Sequence, residues 1–91
     1  MSIVVRFAPP SLTAEKYDEA TRRLQESGDF PADGLDHHVC FGTDGNLLVS
    51  EIWDSREQFE AFGERLMPVL DDVGIDPGEA TVFEIYNAVR R

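Results

Sequence analysis

Apolar and polar residues alternate along positions 2–8, Ser-Ile-Val-Val-Arg-Phe-Ala, around a β-branched run, which predicts a first strand. Pro9-Pro10 ends it, because proline has no N–H to give to a ladder. The period then lengthens. Ala14, Tyr17, Ala20, Thr21 and Leu24 recur at helical spacing behind Thr13, a good N-cap. Leu12 and Tyr17 occupy the two positions of a hydrophobic staple, and Gly28 is the expected stop. Pro31-Ala-Asp-Gly34 is a turn signature.

Positions 36–54 read as two strands joined at Asp44-Gly45, a pair suited to a two-residue hairpin in which both turn positions need positive φ. Such a turn sets the register. His38 should face Glu51, Cys40 should face Val49, Gly42 should face Leu47, and Asp36 should face Trp53. These residues share one face of the hairpin. His37, Val39, Phe41, Leu48, Ser50 and Ile52 share the other, which is almost purely apolar. The first face is apolar with a histidine and a carboxylate set into it, the pattern of a pocket wall.

Ser55 and Gln58 form a capping box for a second helix, whose stripe is Phe59, Phe62, Leu66 and Leu70. Pro68 removes the bond to the Glu64 carbonyl and should kink or break the helix near Leu66 or Met67. Gly74 and Pro77 finish it. Positions 79–89 alternate again and predict a last strand. The order β-α-β-β-α-β predicts an α+β, ferredoxin-like fold in a single domain over residues 1–91. Its four-stranded antiparallel sheet would carry both helices on one face, with the first strand between the third and fourth.

Composition narrows the function. Ninety-one residues give a thin core, and the 42% apolar content is ordinary for a globular chain. No segment is long enough for a membrane helix. A net charge of −10 would repel phosphate backbones and anionic membrane surfaces, so neither nucleic acid nor membrane is an expected partner. The chain enters its first strand with no basic leader, and Cys40 is its lone cysteine; both favour the cytoplasm.

The helices can cover only one sheet face. Val39, Phe41, Leu48 and Ile52 are the natural candidates for it, with Ile3, Val5, Phe7, Phe83 and Ile85. The open face would then hold Val4, Arg6, Cys40, Leu47, Val49, Trp53, Val82 and Tyr86, together with His38, Glu51 and Glu84. So large an apolar patch should be buried against a second copy, giving a homodimer through the open sheet face.

The segment Glu51-Ile-Trp53-Asp-Ser55-Arg-Glu57-Gln-Phe59 ends a strand in tryptophan, caps the helix with serine and opens its stripe with phenylalanine. It resembles a recurring segment of the antibiotic biosynthesis monooxygenase-like group within the dimeric α/β-barrel superfamily. Trp53 matches the group's tryptophan position. The resemblance implies two ferredoxin-like sheets packed face to face. In the group's oxygenases it also implies a cofactor-independent reaction, in which a polar pocket deprotonates an aromatic substrate and stabilises its anion while oxygen reacts directly. The haem-degrading members of the group use an Asn on a strand and a His on a helix. His37 and His38 both fall on a predicted strand, which counts against haem.

Four ionisable groups on an apolar wall are costly unless paired. One reading is an ion-pair network, Arg6 with Glu51 or Glu84, that sets dimer register. The other makes His38 a general base, Glu51 its orienter and Arg6 the stabiliser of an anionic oxygen. Trp53 and Tyr86 would be the walls of the substrate site, with Val49, Cys40 and Glu84 beside them. His37 should point towards the helix side or the strand end. Adjacent histidines on a strand face opposite ways and cannot share a metal, and His38, Cys40 and Glu51 on one strand pair close a tetrahedron poorly. No metal or cofactor is therefore expected. The sequence points to a cofactor-independent monooxygenase-like enzyme acting on a small aromatic or quinone-type compound. The alternative is a non-catalytic dimeric protein, either structural or binding a small hydrophobic ligand.

Overall fold

The computed structural model describes residues 2–89. Helix α1, Ala14–Glu26, starts where Thr13 Oγ1 accepts the Lys16 N–H at 3.2 Å. It stops in a Schellman arrangement. Gly28 takes φ 82°, its N–H reaches Gln25 O, and Asp29 N–H reaches Leu24 O. Helix α2, Arg56–Val73, starts on Ser55, whose Oγ accepts the Gln58 N–H, and ends at left-handed Gly74. Pro68 does not break it. Pro68 and Glu64 lie on the exposed side, where water can satisfy the freed carbonyl, while buried Phe62 and Leu70 hold the helix to the sheet on either side.

The strands are β1 (Ile3–Phe7), β2 (Leu35–Thr43), β3 (Asn46–Trp53) and β4 (Ala80–Glu84). They form one antiparallel sheet in the order β2-β3-β1-β4, so β1 lies between the third and fourth strands as the pattern predicts. The fold is the expected ferredoxin-like βαββαβ. No helix among the described residues is long and apolar enough to cross a membrane. β4 is shorter than the alternation suggests; positions 85–89 continue beyond it outside the strand.

The hairpin keeps its predicted register from His37 to Thr43, with His38 opposite Glu51, Cys40 opposite Val49 and Gly42 opposite Leu47. An irregularity at Asp36 puts Leu35, not Asp36, opposite Trp53. Of the two turn residues only Gly45 has positive φ. Asp44 Oδ1 instead accepts the Ala14 N–H at 2.9 Å, a second cap on α1 from a distant loop.

The two sheet faces are the reverse of those the hairpin pattern predicts. Ile3 pairs with Trp53, Val5 with Glu51 and Phe7 with Val49, so these six residues share a face with His38 and Cys40. That face is the one under the helices. Ile3, Val5 and Trp53 are buried with Leu24 of α1 and Phe62 of α2, and Phe7, Phe59, Leu66 and Val82 pack around them. Val39 and Phe83, expected beneath the helices, are exposed on the opposite face, and Phe41, Leu48 and Ile52 share that face by register. Both hairpin faces are apolar, so hydrophobicity could not choose between them. Trp53, the largest buried side chain, takes the side where two helices can surround it.

Candidate active site

Residues two apart on a strand share a face, so β3 sends Glu51 and Trp53 together into the interior. Glu51 is the only charged residue in the described core, with 5% of its surface exposed. Its two oxygens have separate partners. Trp53 Nε1–H donates to Oε1 at 3.0 Å, and His38 Nδ1 lies 2.6 Å from Oε2. The cost of burying the carboxylate is offset by these two donors.

The other imidazole nitrogen meets α1. Tyr17 Oη lies 2.6 Å from His38 Nε2. With Nδ1–H donating to Glu51, Nε2 is the acceptor and the tyrosine O–H the donor, which uses each polar atom once. The Tyr17 ring stacks near the imidazole, with centroids 6.0 Å apart at 20°, and Phe30 meets it edge-on at 5.2 Å. The result is a continuous chain, Tyr17–His38–Glu51–Trp53, drawn from α1, β2 and β3.

This chain borders a cavity of about 80 Å³ between sheet and helices. Tyr17, Thr21, His38 and Glu51 are its polar-tipped wall residues. The remaining wall is apolar and includes Leu24, Phe30, Val49, Phe62 and Leu66. Pro9 and Leu12 from the β1–α1 connection and Ile75 and Pro77 from the α2–β4 connection complete it. Burial raises the Tyr17 pKa above its usual 10.0; the thiolate that Cys40 becomes at alkaline pH, Glu51 and Asp18 add to this, and the nearby Thr21 hydroxyl opposes it. Burial, seconded by Asp18, likewise raises the Cys40 thiol, so Cys40 is a protonated, half-buried side chain rather than a nucleophile.

The structure therefore joins His38 to Glu51 as the register requires and puts Val49 in the same cavity wall. Other expected site residues lie elsewhere. Arg6 pairs with Ser50 and Thr81 and is exposed on the helix-free face, because its neighbours Val5 and Phe7 turn inward. Tyr86 is wholly exposed past the end of β4. Glu84 is exposed too, at a groove of about 370 Å³ with Val4, Ile52, Ile85 and Tyr86. Trp53 is core, packed on Phe59 and Phe62, and serves the site through its N–H. His37 lies opposite Ile52 on the helix-free face, not on the helix side. The sequence pattern shows Tyr17 as a member of the first helix's stripe. The signal for more was its hydroxyl, which needs a partner when turned towards a sheet, but nothing local names that partner.

No protein-family model matches the chain, and no curated protein matches it in sequence. Solved structures do. An antibiotic biosynthesis monooxygenase candidate from Chloroflexus aurantiacus superposes with a TM-score of 0.67 at 12% identity, over 99% of this chain and 98% of its own. SnoaB, a cofactor-independent oxygenase from Streptomyces nogalater, gives 0.65 at 16% identity, over 99% and 96%. Rv0793 from Mycobacterium tuberculosis gives 0.63 at 16% identity, over 98% and 97%. At such identities the likeness is one of fold, and the chain has, over nearly its whole length, the fold of the antibiotic biosynthesis monooxygenase-like proteins.

Proposed function

We propose that the protein is a cofactor-independent oxygenase of small phenolic or quinone-type aromatic compounds, with His38 as base and Glu51 as the group that orients it. One observation carries the reading: a histidine held by a buried carboxylate lines an apolar cavity, with its second nitrogen bonded to the Tyr17 hydroxyl in the same wall. A substrate hydroxyl at Nε2 gives its proton to the imidazole, and Glu51 stabilises the imidazolium that forms. The electron-rich anion then reacts with oxygen directly. The reaction balances without an added reductant: a phenol with a ring C–H para to its hydroxyl and dioxygen give a quinone and water, the two hydrogens of the water coming from that O–H and that C–H. A C–O bond forms, the hydroperoxide loses water, and the substrate's own O–H and C–H bonds supply the electrons. Arg6 has no part, since it stands on the other side of the sheet. The likeness to SnoaB in fold supports the reading.

Oxygen uptake by the purified protein, measured over a panel of phenols, tests it. His38→Ala should slow uptake by about 10²–10⁴-fold, the usual worth of a general base. Equal rates would remove His38 from the reaction.

The homodimer belongs to this proposal as well. It is supported by exposed Val39 and Phe83 on the helix-free face, which Phe41, Leu48 and Ile52 share. The cavity is internal to one subunit, so the chemistry no longer depends on the dimer. A cytoplasmic setting is supported by the single Cys40, which leaves no internal disulfide. The small volume of the cavity favours the second reading, a binding module for a small hydrophobic ligand, which predicts binding with no oxygen consumed.

A further inference from the structure

The proposed chemistry leaves Tyr17 without a part, yet its hydroxyl stands where that chemistry begins. We infer that Tyr17 is a built-in occupant of the substrate's place: its phenol holds His38 Nε2 until an incoming hydroxyl displaces it, so that Tyr17 selects what reaches the base. This rests on the site assigned above and adds to it a residue that determines specificity.

Lone pairs set the first limit. A neutral imidazole has one acceptor nitrogen, and with Nδ1 committed to Glu51 that nitrogen is Nε2. Tyr17 already fills it at 2.6 Å. A substrate hydroxyl and the Tyr17 hydroxyl therefore exclude each other. Space sets the second limit. The cavity beside Tyr17 is about 80 Å³, whereas an apolar cavity that holds benzene measures about 150 Å³. An aromatic ring enters only when the Tyr17 ring withdraws. The two groups also differ in their freedom to move. Glu51 is buried and doubly bonded, but Tyr17 is half-buried near the start of α1 and can turn outwards about its own side-chain bonds.

The same geometry limits the ligand. It should bring one hydroxyl and an apolar remainder, because a second polar group would face Leu24, Phe30, Phe62 or Leu66 without a partner. A carboxylate would enter beside Glu51 with no lysine or arginine in the described wall to offset it.

Para-cresol, the free counterpart of the tyrosine side chain, is the probe. Toluene lacks its hydroxyl, and para-hydroxybenzoate adds a charge. Binding is followed by heteronuclear NMR of the His38 ring nitrogens and the Tyr17 ring in the native protein and in Tyr17→Phe. Para-cresol should move the Tyr17 ring of the native protein to the position of an exposed tyrosine, and should shift Nε2 in Tyr17→Phe, where that nitrogen starts without the tyrosine donor. Tyr17→Phe, which no longer competes, should bind para-cresol about tenfold more tightly. Toluene, which displaces the Tyr17 ring without replacing its hydrogen bond to Nε2, should bind the native protein more weakly than para-cresol does, and para-hydroxybenzoate should bind neither protein. The inference is overturned if a folded Tyr17→Phe binds para-cresol no better than the native protein. It is overturned equally if the native protein does not bind para-cresol, or binds it with Tyr17 unmoved; these two outcomes need no variant. Displacement by para-cresol with no oxygen uptake across the panel of phenols upholds the inference and sinks the oxygenase reading. Uptake that needs His38 while Tyr17 stays in place does the reverse.

Discussion

Trp53 donates its indole N–H to Glu51 Oε1 at 3.0 Å, two residues back along β3. The largest side chain of the core therefore also orients the buried carboxylate of the site. Trp53→Phe keeps most of the apolar contact and removes that donor. It should cost about 1–3 kcal/mol in urea unfolding, the usual penalty for a buried polar group left unmatched. An unchanged midpoint would show that Glu51 finds another partner.

Glu51→Gln tests the same carboxylate from its other oxygen. The amide offers one acceptor and one donor where the native group offers two acceptors. If its oxygen keeps Trp53, its amide nitrogen faces His38, and the imidazole must move its proton to Nε2. The expected result is a switched His38 tautomer in nitrogen NMR, a loss of about 1–3 kcal/mol, and oxygen uptake lowered by about 10²-fold or more. A native tautomer in a folded variant would refute the orienting role.

Tyr17 gives stability a dependence on alkaline pH. Burial raises its folded pKa above the unfolded value of 10.0. The folded state thus holds the phenolic proton where the unfolded state has lost it. The contribution is complete below pH 10.0 and declines as the pH climbs through the raised value. Cys40, raised above 9.0 by burial, acts in the same direction from a lower pH. Denaturant midpoints followed upwards from neutral pH should fall more steeply for the native protein than for Tyr17→Phe. Parallel curves would contradict the raised pKa.

On the acid side the group to watch is Glu19. It bonds Arg22 and Arg23 on the outside of α1, and these bonds, Arg22 foremost, hold its pKa down to about 2. A lowered carboxyl pKa stabilises above the unfolded value of 4.5, and the effect fades as the pH falls towards 2. Because the pair is exposed, Glu19→Gln should have only a small effect at neutral pH, and salt should shrink it further. A large salt-independent loss would mean that Glu19 does something other than brace the helix.

The proposed dimer is tested separately from the chemistry. Phe83 is 57% exposed on the helix-free face. In sedimentation at micromolar concentration the native protein should run as a dimer, and Phe83→Asp should run as a monomer with its cavity intact. A monomeric native protein would end the proposal of face-to-face pairing and leave the His38 cavity untouched.

The residues themselves determined the order of the elements, both N-caps and the pairing of His38 with Glu51. Each follows from local rules: a period of two or of 3.6, a capping hydroxyl, a two-residue turn that dictates which residues face each other. Only the tertiary structure decided which side of the hairpin the helices cover. Both sides are apolar, so the pattern was degenerate, and no turn sets the register of β1 against β3. Once Val5 stands opposite Glu51, the pair His38 and Glu51 belongs to the interior beneath the helices, not to an open sheet face, and Arg6 is left outside. Tyr17 reaches His38 across 21 positions of sequence because α1 packs over β2, and Asp44 caps α1 for the same reason. Such contacts depend on where packed elements come to rest, which no local spacing encodes.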